Sequence, residues 1–118
     1  MIVRIIQKGN GFAWYHKFTS TKPVQGPNYT YNNLVWEDDF NTAGAPDPTK
    51  WTYDTGAGGW GNGEVQHYTN RADNAKVENG NLVITAKKES FSGSQYTSAR
   101  LKSEGLYDFK YGRVEVRA

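Results

Sequence analysis

An all-β fold, with short antiparallel strands packed as a sandwich, is predicted by three features of this sequence. Thirteen of its 118 residues are glycine and 14% are aromatic, with eight Tyr and four Trp; that mix belongs to turn-rich β proteins and wet binding surfaces. Apolar residues alternate with polar ones over short runs and nowhere keep a helical period. Turn signals separate those runs at close intervals. The length suits one small domain and is too short for two.

In chain order, Ile2 to Ile6 reads as one short strand. Gly9, Gly11 and a Ser-, Thr-, Pro- and Asn-rich stretch around Phe12-Ala13-Trp14-Tyr15 follow, so residues 1–33 read as an N-terminal extension or linker of unassigned role. Leu34-Val35-Trp36 forms a strand leading to the acidic corner Glu37-Asp38-Asp39-Phe40, and residues 41–50 form a turn around Gly44, Pro46, Asp47 and Pro48. Trp51-Thr52-Tyr53 resumes as a strand, and Gly56 to Gly61 is a flexible loop. Lys76-Val77-Glu78 and Leu82 to Ala86 flank Asn79-Gly80, a strong hairpin signal. From Tyr96 to Lys102 alternation puts Ala99 and Leu101 on one face and Ser98, Arg100 and Lys102 on the other. In the last segment Val114, Val116 and Ala118 alternate with Arg113, Glu115 and Arg117.

The centre of the chain is Gly59-Trp60-Gly61-Asn62-Gly63-Glu64-Val65-Gln66-His67-Tyr68-Thr69. Its glycines let backbone approach a partner closely, and alternation predicts a strand with Asn62, Glu64, Gln66 and Tyr68 on one face. A Trp beside amide, carboxylate and phenol groups suits a sugar, whose C–H face packs on the ring while its hydroxyls are bonded. The alternative is a strand whose aromatics only fill a core.

Other chemistries find less support. A net charge of +2 with no long Lys/Arg run excludes tracking of a phosphate backbone, hence no nucleic-acid partner is expected. Without cysteine there is neither a disulfide framework nor a thiolate metal site. Arg4 interrupts the N-terminal apolar cluster, so neither a signal peptide nor a membrane span is expected, and no membrane partner. His16 and His67 are the sole histidines, and nothing in the sequence sets either beside a nucleophile.

Across about residues 34–118 the ordered motifs resemble the N-terminal part of glycoside hydrolase family 16, laminarinase (endo-β-1,3-glucanase) type. They are Leu34-Val35-Trp36 with Asp39-Phe40, Asp47-Pro48 before Trp51, Gly59 to Glu64, Tyr68-Thr69, Val77 to Gly80 with Leu82-Val83-Ile84, Tyr96 to Leu101, and Tyr111 to Glu115. The resemblance implies a β-jelly-roll sandwich of the concanavalin A-like glucanase class, incomplete in this chain, and endohydrolysis of β-1,3-glucan by a retaining pair of carboxylates. It also implies an extracellular or periplasmic setting. The family's Glu-x-Asp-x-x-Glu or Glu-x-Asp-x-Glu motif is absent, so no catalytic residue is assigned here and the chain alone is expected to be inactive.

Binding residues carry over by position. The resemblance implies that Asn62 bonds sugar hydroxyls, that Trp60 shares its loop, and that Arg100 is the cleft arginine with Lys102 on the same face. Glu64 is expected to orient Arg100 through a charge-assisted pair as much as to touch sugar; a solvated strand face for Arg100 and a structural role for Glu64 are the alternatives. No cofactor is required for catalysis. A structural calcium is implied near Asp39 and Gly80, with the family's late Asp missing. The partners implied are a β-1,3-glucan or related polysaccharide, and a missing C-terminal half or a second copy to cover open sheet edges. A non-catalytic, lectin-like carbohydrate-binding jelly roll is the second reading, and a plain interaction module the third.

Overall fold

The computed structural model describes residues 30–117 and the strand of residues 2–8. The loop part of the N-terminal extension, with His16, and the face of Ala118 lie outside the described residues. Among the described residues ten strands follow one another: β1 (Ile2–Lys8), β2 (Tyr31–Asp38), β3 (Thr52–Asp54), β4 (His67–Tyr68), β5 (Ala75–Glu78), β6 (Asn81–Ile84), β7 (Lys87–Phe91), β8 (Ser94–Ser98), β9 (Arg100–Lys102) and β10 (Arg113–Arg117). A 3₁₀ turn at Gly59–Gly61 interrupts them, and no α-helix occurs among the described residues.

Two units form. One contains β1, β2 and β10 as an antiparallel sheet in the order β10-β1-β2, with Ile2 opposite Arg117 and Val3 opposite Asp38. The sequence predicts the cores of β2 and β10 correctly. Val114 and Val116 on β10 are 51% and 59% exposed.

The other unit, Asp39–Asp108, holds the remaining strands. Segment 52–56 joins two neighbours: Thr52–Asp54 pairs antiparallel with β9, and Gly56 exchanges both backbone hydrogen bonds with Tyr68 on β4. β4 in turn runs parallel to β8, and β8 pairs antiparallel with β7. The β5–β6 hairpin turns at Asn79 and Gly80, whose φ values of 53° and 74° suit a type I′ turn, as Asn-Gly predicts. Gly44 bridges Val77 on its outer edge.

Three findings depart from the sequence reading. The strand expected from Asn62 to Tyr68 is laddered only at His67–Tyr68, because φ is positive at Gly59, Trp60, Gly61 and Gly63 and the loop curls before it can pair. The β4–β8 contact is parallel where an antiparallel sandwich is expected. β7 and its tight turn at Ser92-Gly93 (φ 46° and 86°) are an additional hairpin, unmarked by apolar alternation.

The hydrophobic core of this unit is small. Phe40, Ala75, Val77 and Ala99 are buried, and the Phe40 ring stacks on Trp51 at 6.1 Å between centroids. Asn74 and Thr97 are wholly enclosed beside them, so part of the interior is held by hydrogen bonds.

Candidate functional site: an aromatic and amide-lined sugar face

The loop from Gly59 to Val65 carries the first part of the site. Trp60 sits at φ 45°, a left-handed conformation that is unusual for a bulky residue and recurs at functional sites. The Asn62 and Glu64 amides both donate to the Gly59 carbonyl, at 2.8 and 3.3 Å, which closes the curl. Although residues 62–66 lack a ladder, the side chains expected on one face do converge. Glu64 is the hub: its carboxylate accepts from Asn62 Nδ2 at 3.1 Å, from Gln66 Nε2 at 3.1 Å and from the Tyr68 hydroxyl at 2.7 Å. Gln66 Nε2 also donates to the Tyr68 oxygen at 2.9 Å.

β9 brings in the cations. The Arg100 guanidinium lies over the Trp60 ring, 4.7 Å from its centroid and 6.0 Å from that of Tyr68, while Tyr68 meets Trp60 edge-on at 5.8 Å. One face of the indole is thereby covered by a cation, and its Nε1 is buried without a hydrogen-bond partner among the described residues.

The pairing of Arg100 differs from expectation. Its Nε donates to Asp54 Oδ2 at 3.2 Å, and Lys102 Nζ meets the other oxygen of the same carboxylate at 2.7 Å. Asp54, not Glu64, is the hydrogen-bonded partner that orients Arg100. The β3–β9 register sets this, placing Asp54 directly opposite Arg100. Glu64 feels the Arg100 charge only at longer range. Sequence reasoning missed Asp54, whose role becomes visible only once β3 is paired with β9. Lys102 also binds Glu104 Oε2 at 2.6 Å, so its ammonium is shared between two carboxylates.

The electrostatics favour the charged form of both carboxyls. Hydrogen bonds from Tyr68 and Asn62 hold the Glu64 carboxyl below its ordinary pKa, against some desolvation. Lys102 and then Arg100 do the same for Asp54. Both groups are carboxylates at neutral pH. A general acid for glycoside cleavage needs a raised pKa, and neither residue has one. What the surface offers is an aromatic plane, an amide, a phenol and a guanidinium, the set that bonds hydroxyls and packs on sugar rings.

The proposed calcium ligands lie elsewhere in the same unit. Asp39 accepts from the Asn41 backbone N–H at 3.2 Å and from Asn41 Nδ2 at 2.6 Å, and Gly80 occupies the tip of the β5–β6 hairpin. No group of three or more His, Asp or Glu side chains gathers among the described residues. A calcium shell takes about six to eight oxygens, more than Asp39 and backbone carbonyls near Gly80 supply; these residues do not by themselves fit the ion.

Comparison with known proteins finds relatives over about two thirds of the chain or more. The chain is 52% identical over 86 residues to a beta-glucanase of Rhodothermus marinus, a match covering 72% of this chain and 30% of that protein. The matched stretch is similar to laminarinases and to a glucanase of glycoside hydrolase family 16. Among solved family 16 structures, the Rhodothermus marinus laminarinase superposes with a TM-score of 0.63 at 52% identity, over 64% of this chain and 31% of that one. A non-specific endo-β-1,3(4)-glucanase of the family, crystallised with 1,3-β-D-cellotriosyl-glucose, gives a TM-score of 0.63 at 49% identity over 67% and 34%. No protein-family model matches the chain. It spans about a third of the length of these relatives, and the matched two thirds of this chain has their jelly-roll sandwich fold.

Proposed function

We propose that this chain supplies part of the sugar-binding cleft of a β-glucan endohydrolase acting on laminarin-type β-1,3-glucan with retention of configuration. The observation that carries the reading is the convergence of Trp60, Asn62, Glu64, Gln66, Tyr68 and Arg100 on one surface, within a stretch similar to laminarinases over its matched length. In this reading Asn62 and Gln66 bond ring hydroxyls through amide groups not spent on Glu64, and Arg100 offers its terminal nitrogens, since Asp54 takes only Nε. Trp60 and Tyr68 supply the apolar wall. In this reading the carboxylate pair that cleaves the bond is not among these 118 residues, because they contain neither Glu-x-Asp-x-x-Glu nor Glu-x-Asp-x-Glu. A secreted or periplasmic setting and a polysaccharide partner follow from the same reading. If calcium belongs to it, the ion needs further oxygens beyond those around Asp39 and Gly80.

The test is calorimetric titration of the full chain with laminarin, with dextran as control. Binding of laminarin but not dextran, lost in Trp60→Ala and Asn62→Ala, is the expected outcome, together with no release of reducing sugar. Equal affinity for both polymers, or for none, would refute the glucan reading. Release of reducing sugar would refute the assignment of the acid and nucleophile to residues outside the chain.

A further inference from the structure

Behind the sugar face lies a closed ring of hydrogen bonds that the binding reading does not use. Arg71 donates its backbone N–H to Thr69 Oγ1 at 3.3 Å, and the Thr69 hydroxyl donates to Asn74 Oδ1 at 2.5 Å. Asn74 Nδ2 donates to Thr97 Oγ1 at 2.9 Å and to the Thr85 carbonyl at 3.0 Å. The Thr97 hydroxyl donates to Glu89 Oε1, and the Arg71 guanidinium closes the ring on the same oxygen at 2.5 Å while also reaching Asn74 Oδ1 at 3.1 Å. Each hydroxyl has one proton and each is used, so the ring closes with Glu89 Oε1 as the common acceptor of Thr97 and Arg71. Asn74 and Thr97 are wholly buried and Thr69 is 4% exposed.

The position of the ring suggests its role. Alternation along β4 sends Tyr68 to the sugar face and Thr69 to the ring. β4 has two residues, and its parallel contact with β8 consists of His67 opposite Thr97 and Tyr68 opposite Ser98. A ladder that short is weak by itself. Tyr68 nevertheless carries the hydroxyl that anchors Glu64 and the edge that meets Trp60.

We propose that the Arg71–Thr69–Asn74–Thr97–Glu89 ring is a positioning device: it locks β4 onto β8 from behind and so sets Tyr68, and through it Glu64 and Trp60, in the geometry that receives glucan. Its members do not touch substrate. The glucan part of this statement rests on the functional reading above; the locking part does not.

The experiment measures amide hydrogen exchange in the full chain for Thr97→Val, which keeps the shape and removes the hydroxyl, and for Thr97→Ser, which restores it. Exchange at the Tyr68 and Thr69 amides, bonded to Gly56 and Ser98 carbonyls, should rise by about tenfold in the Val variant, as expected for losing a buried hydrogen bond to a charged group. The Val77 amide, bonded to Gly44, should stay as protected as before, and Ser should return the first two to near the original rate. Laminarin affinity should fall and recover in parallel. Unchanged exchange at Tyr68 and Thr69, or an equal rise at Val77, overturns the proposal. If Thr97→Val does not fold, Arg71→Ala at the half-exposed rim is judged by the same three amides. A parent chain that binds no laminarin would end the glucan reading while leaving the exchange result to decide the lock.

Discussion

Asp54 accepts from Arg100 and from Lys102 on its two oxygens, at 3.2 and 2.7 Å, with 19% of its side chain exposed. Replacing it by Asn keeps the shape and removes the charge that orients the Arg100 fork. Laminarin affinity of Asp54→Asn should drop by up to about fivefold, the scale of a partly exposed pair, whereas Glu104→Gln, at an exposed carboxylate, should leave it unchanged; titration calorimetry checks both. Phe40 illustrates a different residue-scale constraint. It is 2% exposed, packs on Trp51, and is held at φ 54°, so burial of the ring outweighs an unfavourable backbone. Phe40→Ala should cost about 3 kcal/mol in chemical denaturation. Trp60, Asn62, Glu64 and Arg100, the candidates that the family resemblance implies, do gather. Asp54 could not be named, because its role depends on which strand lies opposite β9, a pairing separated by 46 positions in sequence.

At the scale of elements, the β5–β6 hairpin shows a turn whose chemistry is local. A Cβ on Gly80 would meet nothing within 4 Å, yet its φ of 74° is strained for any L side chain. Gly80→Ala should therefore destabilise by about 1 kcal/mol through backbone conformation alone. Gly58→Ala, at φ −83° with equally open space, should change stability little; paired thermal melts distinguish them. This hairpin was readable because Asn-Gly sits between apolar runs. The β7–β8 hairpin was not, since Lys87 to Phe91 is mostly polar and its outward charges serve neighbours, Lys87 binding Asp73 at 2.6 Å. Its Ser92-Gly93 dipeptide was the one local cue. The loop at Gly59–Gly63 shows the reverse error: alternation in the letters suggested a strand, and left-handed φ values at four of its positions prevented one.

For the molecule as a whole, acid sensitivity follows from its carboxylates. Hydrogen bonds and nearby cations lower the pKa of Asp54, Glu64, Asp73 and Glu89 in the folded state. Their contribution to stability is then fully present above the unfolded carboxylate values of about 4 and lost as pH falls through the lower folded values. Melting temperature should be flat near neutrality and fall on acidification below about pH 4, and Glu89→Gln should give a lower neutral value with a shallower acid slope. A second expectation concerns association. β10 is an outer strand of its sheet among the described residues, and Val114 and Val116 are more than half exposed. Sedimentation should show concentration-dependent self-association that Val116→Lys reduces. The amino-acid order alone settled the all-β class and the Asn-Gly hairpin, since each depends on residues near one another in the chain. Tertiary structure alone decided that Asp54 holds Arg100, that β4 runs parallel to β8, and that Asn74 and Thr97 join Glu89 in a buried ring. Those contacts join residues brought together by strand pairing, and a hydrogen bond between distant positions leaves no period or spacing to be read.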